Sequence, residues 1–242
     1  VLYLARLVST VGDFGKMARY VRQKGWPDAT SDTEARQVGL TAEQIRDGLD
    51  HVGRTSLPMA TALARVGYPE PRIRTRGWQT LLRTIVGQQV SVAAAASVWA
   101  RLEALLGPDM TPGAVLSASF DDLRACGLSR QKQGYARSLC ELVDAGAIAF
   151  DALPQDDEAA IALLTQIKGI GRWSAEIYLL FAEGRADIWP AGDLAVQAGL
   201  GKLLGLDTRP DERTTRELAE LWRPHRGAVA IFTWHCYNNP AL

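Results

Sequence analysis

The chain has few cysteines, few histidines and no alternating apolar and polar run. Its three cysteines, Cys126, Cys140 and Cys236, are odd in number and far apart. That excludes a paired disulfide framework and any CxxC zinc or iron–sulfur signature. Reduced thiols in the cytoplasm are the simple reading. The late histidines, His225 and His235, have no ligating partner at useful spacing and read as structural, so no metal is expected on side chains. No stretch approaches the roughly 18 uncharged apolar residues of a membrane span. Even the apolar start VLYLARLVSTVGDF carries Arg6 and Asp13, so a soluble protein with no membrane partner is expected. The first residue is Val1, not Met. No apolar core is followed by a small-residue cleavage site, so the expectation is a trimmed chain without a secretory signal. With 27 basic and 27 acidic residues the formal charge is zero, which counts against a dominant basic field for nucleic acid. A local basic face can still hide in that sum.

What is present is helical. At 242 residues and 47% hydrophobic content the chain can bury a real core. Trp78, Leu81, Leu82, Ile85 and Val86 follow the i, i+3, i+4, i+7, i+8 stripe of a helix packed on one face. Ser91 reads as the N-cap of the next helix and Gly107-Pro108 as its stop. Ser119 and Asp122 stand at capping-box spacing, with Asp in place of the usual Glu or Gln. Tyr135, Leu139, Leu142 and Val143 share a face of a helix ending at Gly146. Further helical patterns cover 156–166, 172–182, 194–204, 213–222 and 228–237. The fold class is all-α. Residues 26–44 are polar and turn-rich and read as a linker. The division is therefore 1–45, an extension without assigned function and with at most one short amphipathic helix, and 46–242, the main domain.

Within that domain, LTQIKGIGRWSAEIYLL places two glycines at the mouth of a helix. A helix N-terminus exposes unpaired N–H groups and the positive end of its dipole, and glycines before it let an anion approach. Gly169 and Gly171 can present amides while Ile167 and Ile170 anchor the turn in the core. The spacing is not that of a Walker loop, and no strand precedes it as a Rossmann loop requires. Helix, glycine turn, helix is a helix-hairpin-helix, suited to a nucleic-acid phosphate; a plain tight turn is the bland alternative.

IKGIGRWSAEIYLLF followed by IWPAGDLAVQ resembles the helix-hairpin-helix, Gly/Pro-rich loop and aspartate signature of the DNA glycosylase superfamily. LLRTIVGQQVSVAAAASV, GLSRQK and LWRPHRGAVAIFTWH resemble its 3-methyladenine DNA glycosylase II, or alkylbase, branch. Together they span roughly residues 51–238. The resemblance implies two helical subdomains with the lesion pocket in the cleft between them. The first would run from about Ile73 to Gly146, with the C-terminal helix returning to it, and the second would hold the hairpin and Asp193. It also implies damaged double-stranded DNA as partner, a monomer, no cofactor, and a structural monovalent cation on the hairpin backbone. Larger members carry an additional N-terminal β-rich domain, for which no strand pattern exists here.

Excising a base requires extruding the nucleotide and breaking a bond to a sugar that becomes oxocarbenium-like. A carboxylate near C1′ stabilises that charge and orients the water. Asp193 matches the family's catalytic aspartate; read alone it is also a good N-cap for LAVQAGLGKLL, and both roles can coexist. Asp187 and Glu176 are the fallback carboxylates. Bifunctional members hold a nucleophilic lysine where this chain has Trp173, so the resemblance implies a water-using, monofunctional enzyme that leaves an abasic site. Trp173 and Trp234 match two pocket aromatics suited to cationic bases. A third aromatic is replaced by Ile177, with Tyr178 beside it but about 100° around the helix. Gln89 aligns with the wedge that fills the gap left by the extruded nucleotide, and Gln88 reads as a structural amide. Ser174, Lys168 and Arg172 would help Gly169 and Gly171 hold phosphate, with Lys132 as a secondary candidate. Two other readings stay open: a glycosylase for a neutral lesion such as hypoxanthine or uracil, and a non-catalytic DNA-binding module.

Overall fold

Thr41 opens the first helix, α1 (Ala42–Thr55), through a capping box. Its hydroxyl accepts from the Gln44 N–H at 3.2 Å, and Gln44 Oε1 accepts from the Thr41 N–H at 2.9 Å. Ile45, Leu49 and Val52 then face the core at helical spacing. The computed structural model describes residues 39 to 239; the short helix expected in the extension lies outside them. The linker expected over 26–44 and the domain boundary at 45 need correction, because the helix starts inside the polar stretch and Leu40 is already buried. Polar composition hid a start signal that the Thr41/Gln44 pair carries.

α2 (Leu57–Val66) follows with Pro58 in its first turn, and it packs on α1. α3 (Trp78–Gly87), α4 (Val92–Leu106), α5 (Pro112–Ser117), α6 (Phe120–Ala125) and α7 (Arg130–Asp144) come next. Ser91, Thr111, Ser119 and Ser129 each cap the helix they precede, and the Ser119/Asp122 box forms as its spacing predicts. α3, α5 and α6 all pack on α7. The hairpin helices are α8 (Asp157–Leu164) and α9 (Arg172–Phe181), and α9 leans on α3. α10 (Leu194–Leu204), α11 (Glu212–Ala219), a 3-10 turn (Glu220–Trp222) and α12 (Arg226–Tyr237) complete the described chain. It contains no extended strand among the described residues.

Two groups of helices share one core. α3 to α9 form one group; α10 and α12 form the heart of the other, with α1 on α12 and α2 on α10. This corrects the expected partition in two places. The C-terminal helix does not return to the Ile73–Gly146 group, and the hairpin sits with α3 and not with the Asp193 helix. Shape explains the first: a Cβ at Gly199 would lie 2.4 Å from the Thr233 carbonyl oxygen. α10 and α12 therefore approach more closely than any side chain at 199 allows, and Trp234 is carried to the α10 side.

Candidate active site

The loop before α10 is built to present one carboxylate. Trp189 is buried, donates its indole N–H to the Thr215 carbonyl at 3.0 Å and meets Trp222 edge to face. Asp193 N–H closes the turn onto the Pro190 carbonyl at 2.9 Å. Asp193 then caps α10: its Oδ1 accepts from the Ala195 and Val196 N–H groups at 2.9 and 3.0 Å. The cap reading and the site reading hold together, because the carboxylate has a second oxygen.

Both tryptophans singled out from the sequence converge on this group. Trp234 Nε1–H donates to Oδ1 at 3.1 Å from α12, and Trp173 Nε1–H donates to Oδ2 at 2.9 Å from α9. Three elements distant in sequence thus meet at one carboxylate. Oδ1 takes three donors and Oδ2 one, so Oδ2 retains an open lone pair. Trp173 remains 46% exposed whereas Trp234 is 7% exposed, so the first ring stands in the open and the second forms a wall.

Ile177, 7% exposed, lies one turn below Trp173. Tyr178 does not join them. It is 1% exposed, packs edge-on against Phe150 and accepts the Gly77 N–H at its hydroxyl at 2.9 Å; burial raises its pKa. Its place in the base pocket is therefore corrected, for the helical rotation of about 100° turns it into the core. The position that sequence reading missed is Phe181. Trp173, Ile177 and Phe181 are spaced i, i+4, i+8 on one face of α9, and Phe181 meets the Trp234 ring at 5.5 Å between centroids.

The fallback carboxylates are occupied. Asp187 is held by Arg226 at 2.9 and 3.0 Å and also by Arg223. Glu176 is buried and accepts from Arg172 at 2.9 Å; burial is the largest influence on its pKa and raises it, against the nearby Arg216 and Arg172.

In the hairpin, Ile167 and Ile170 are buried and the turn closes by Ile170 N–H to the Ile167 carbonyl at 3.0 Å. Gly169 has φ +83°, and a Cβ there would overlap the Tyr135 ring at 2.2 Å. Gly171, the N-cap of α9, has φ −90°, and a Cβ there would meet nothing within 4 Å, so the side-chain position faces open space. The carbonyls of Gln166, Lys168 and Ile170 accept no hydrogen bond among the described residues. Lys168 is exposed without an ion pair among the described residues. Arg172 is not available for phosphate as expected: its fork grips Glu158 on α8, clasping the two hairpin helices, and its pKa is raised by that bond. Ser174 is 8% exposed and sits inside the first turn of α9.

The α3–α4 turn carries the wedge candidates. Gln89 is exposed and is the only non-glycine with positive φ among the described residues, at +56°. Gln88 donates its side-chain amide to the Gly169 carbonyl at 2.9 Å, locking this turn to the hairpin. Lys132 departs from its reading as a secondary phosphate candidate. Its ammonium donates to the Val86 carbonyl at 2.8 Å at the end of α3, and burial lowers its pKa. His235 hydrogen-bonds the Val66 carbonyl at 3.0 Å, and the His225 and His51 rings meet in a tilted pair at 4.8 Å between centroids. Among the described residues no three His, Cys, Asp or Glu side chains converge as a metal would need, and no helix there is long and apolar enough to cross a membrane. A recess of about 440 Å³ beside Arg76, Trp78 and Phe150 contains none of these groups.

A glycine hairpin, a Gly/Pro loop and a helix-capping aspartate in a helical frame define a helix-hairpin-helix protein. The chain belongs to the HhH-GPD superfamily of base excision DNA repair proteins, whose pattern matches residues 82–224. It is 33% identical to DNA-3-methyladenine glycosylase 1 of Schizosaccharomyces pombe over 161 residues, 65% of this chain and 71% of that protein. It is 28% identical to DNA-3-methyladenine glycosylase 2 of Escherichia coli over 191 residues, 72% of this chain and 64% of that one. Among solved structures it is similar to the S. pombe 3-methyladenine DNA glycosylase bound to abasic DNA. The TM-score there is 0.68 at 27% identity, covering 81% of this chain and 98% of that one.

Proposed function

We propose that the protein is a monofunctional DNA glycosylase. It extrudes alkylated purines of the 3-methyladenine and 7-methylguanine type from double-stranded DNA and hydrolyses the N-glycosidic bond, initiating base excision repair. The observation that carries this reading is the fixed Asp193 carboxylate, with Trp173 and Trp234 each donating an indole N–H to it.

Asp193 acts through Oδ2. As the bond to the base breaks, positive charge grows on C1′ and the ring oxygen, and an oriented carboxylate stabilises it more in the transition state than in the ground state. The same oxygen orients water for attack on C1′ and accepts its proton. The base leaves from between the tryptophan faces, where stacking favours a cationic purine by about 0.5–2 kcal/mol per contact. The indole bonds to Asp193 hold the two rings in a fixed relation to the carboxylate. Trp173 has no amine, so no Schiff base forms there and the product keeps an intact strand with an abasic site.

DNA is held by the amides of Gly169 and Gly171 with Lys168 beside them, and a monovalent cation on the hairpin carbonyls would add positive charge facing the backbone. Gln89, raised on a left-handed turn, fills the space left by the extruded nucleotide. The chain acts as a monomer on damaged duplexes. The test is release of base and nicking of strand from a duplex with one 3-methyladenine or 7-methylguanine, with borohydride present to trap any Schiff base. Base release without nicking or trapping supports the reading. A trapped covalent complex would transfer the chemistry to a lysine, and salt-sensitive DNA binding with no base released would leave only a binding module.

A further inference from the structure

Two exposed loops, the hairpin and the α3–α4 turn, carry the DNA contacts proposed above, and both rest on α7. Lys132 donates to the Val86 carbonyl at the end of α3, the Tyr135 ring packs on Gly169, and the Ser138 hydroxyl accepts the Lys168 N–H at 3.2 Å. Those three residues of α7 are spaced i, i+3, i+6 along one side of the helix. One further bond joins the loops directly: the Gln88 side-chain amide donates to the Gly169 carbonyl at 2.9 Å, across 81 residues of sequence. A carbonyl only accepts, so the NH₂ end of Gln88 must face it, which fixes the rotation of the amide. The backbone then turns from φ −59° at Gln88 to φ +56° at Gln89. A glutamine holds that left-handed conformation only where its surroundings impose it. Gln89 itself forms no side-chain hydrogen bond among the described residues, so its place depends on the backbone that Gln88 anchors.

We infer that Gln88 is a positioning residue for nucleotide extrusion, its bond to Gly169 coupling the hairpin's grip on the DNA backbone to the Gln89 wedge. This rests on the glycosylase reading of the site and on Gln89 as the wedge. Gly169 faces both ways: its N–H is offered to a phosphate, and its carbonyl is held by Gln88. The hairpin's phosphate and the tip of the wedge therefore keep a fixed separation. A side chain that enters a base stack is pushed back by the cost of unstacking, and a wedge on a loose turn yields to that push. A hydrogen bond between exposed loops adds little to folding, because water replaces it when it breaks. Its consequence is geometric, and it is confined to lesions that must first be drawn out of a stacked pair.

The test is a double-mutant cycle under single turnover with wild type, Gln88→Met, Gln89→Ala and the double variant. Met keeps the length of the side chain and removes the donor, and matched melting temperatures confirm the fold. One substrate holds 7-methylguanine paired with cytosine in a duplex; the other holds the same base as an unpaired bulge, already free of its partner. Loss of one neutral hydrogen bond predicts a fall of about 3- to 10-fold in release from the paired duplex by Gln88→Met. Release from the bulge should be unchanged, and the double variant should be no slower than Gln89→Ala, because Gln88 acts through Gln89. A merely structural role would slow both substrates alike and add to the loss from Gln89→Ala. Either of those results, or a Gln88→Met or Gln89→Ala enzyme as fast as wild type on the paired duplex, would overturn the coupling and leave the glycosylase reading standing. A wild type that releases no base from either substrate overturns the glycosylase reading and this inference with it.

Discussion

Trp173 Nε1 and Asp193 Oδ2 are joined at 2.9 Å across 20 residues of sequence, the one hydrogen bond that links the hairpin helix to the carboxylate. Replacing Asp193 by Asn keeps Oδ1 as the helix cap but puts an amide where Oδ2 was, facing the indole donor. Folding should survive and base release should fall by about 10³-fold, since both charge stabilisation and water activation are lost. A melting curve beside a base-release assay checks both; retained release would move the chemistry away from Asp193. Trp173→Phe removes the indole bond and part of the stacking face, and should slow release less than Asp193→Asn while leaving DNA affinity intact.

The two hairpin glycines should fail in different ways. Gly169→Ala forces a Cβ into the Tyr135 ring at positive φ, and a cost well above 1 kcal/mol is expected. That is a drop of several degrees, at about 2–4 °C per kcal/mol for a chain of this size. Gly171→Ala has open space and an ordinary φ, so its melting temperature should hold while DNA binding weakens. Equal thermal effects would show that both positions serve only the turn.

Lys168 and Lys132 separate phosphate contact from positioning. Lys168 is exposed at the hairpin, so Lys168→Ala should reduce the slope of log affinity against log salt by about 1. Lys132 is tied to the Val86 carbonyl, so Lys132→Met should leave that slope alone and instead loosen the turn that carries Gln88 and Gln89. A lower slope in Lys132→Met would restore it as a phosphate ligand.

His225 sets an acid limit on stability. Desolvation first, then His51 and Arg54, lower its pKa from 6.5, with Asp187 opposing them. Below about pH 6.5 the unfolded chain therefore binds more protons at this site than the folded one. Its contribution is complete above that pH and is lost as pH falls toward the depressed folded value. Melting temperatures from pH 7.5 to 5 should decline, and His225→Asn should flatten the decline; an unchanged profile would assign it to other groups.

Residues 194–204 show how far a linear pattern reaches. A helix there follows from apolar spacing and a capping aspartate, and the observed α10 has those limits. The capped starts at Ser91 and Ser119 were legible for the same reason: a side-chain oxygen and an N–H three residues on form a local contact. The start of α1 carries an equally local signal in Thr41 and Gln44, but it is embedded in a polar stretch and was concealed by composition. The hairpin glycines were legible because their chemistry needs a particular residue type, and the loop and Asp193 because IWPAGDLAVQ resembles the glycosylase signature.

By itself the sequence determined an all-helical chain, its glycine hairpin and its candidate carboxylate, all features that depend on neighbours within a few residues. The tertiary structure alone decided which groups remain available to act. Arg172 and Lys132 are equally basic on paper, yet each is engaged by a partner from another helix. Tyr178 is buried and Phe181 is brought beside Trp234 by the rotation of α9 and the close approach of α10 to α12. Packing between elements sets ion pairs and burial, and those contacts join residues too far apart for periodicity to register.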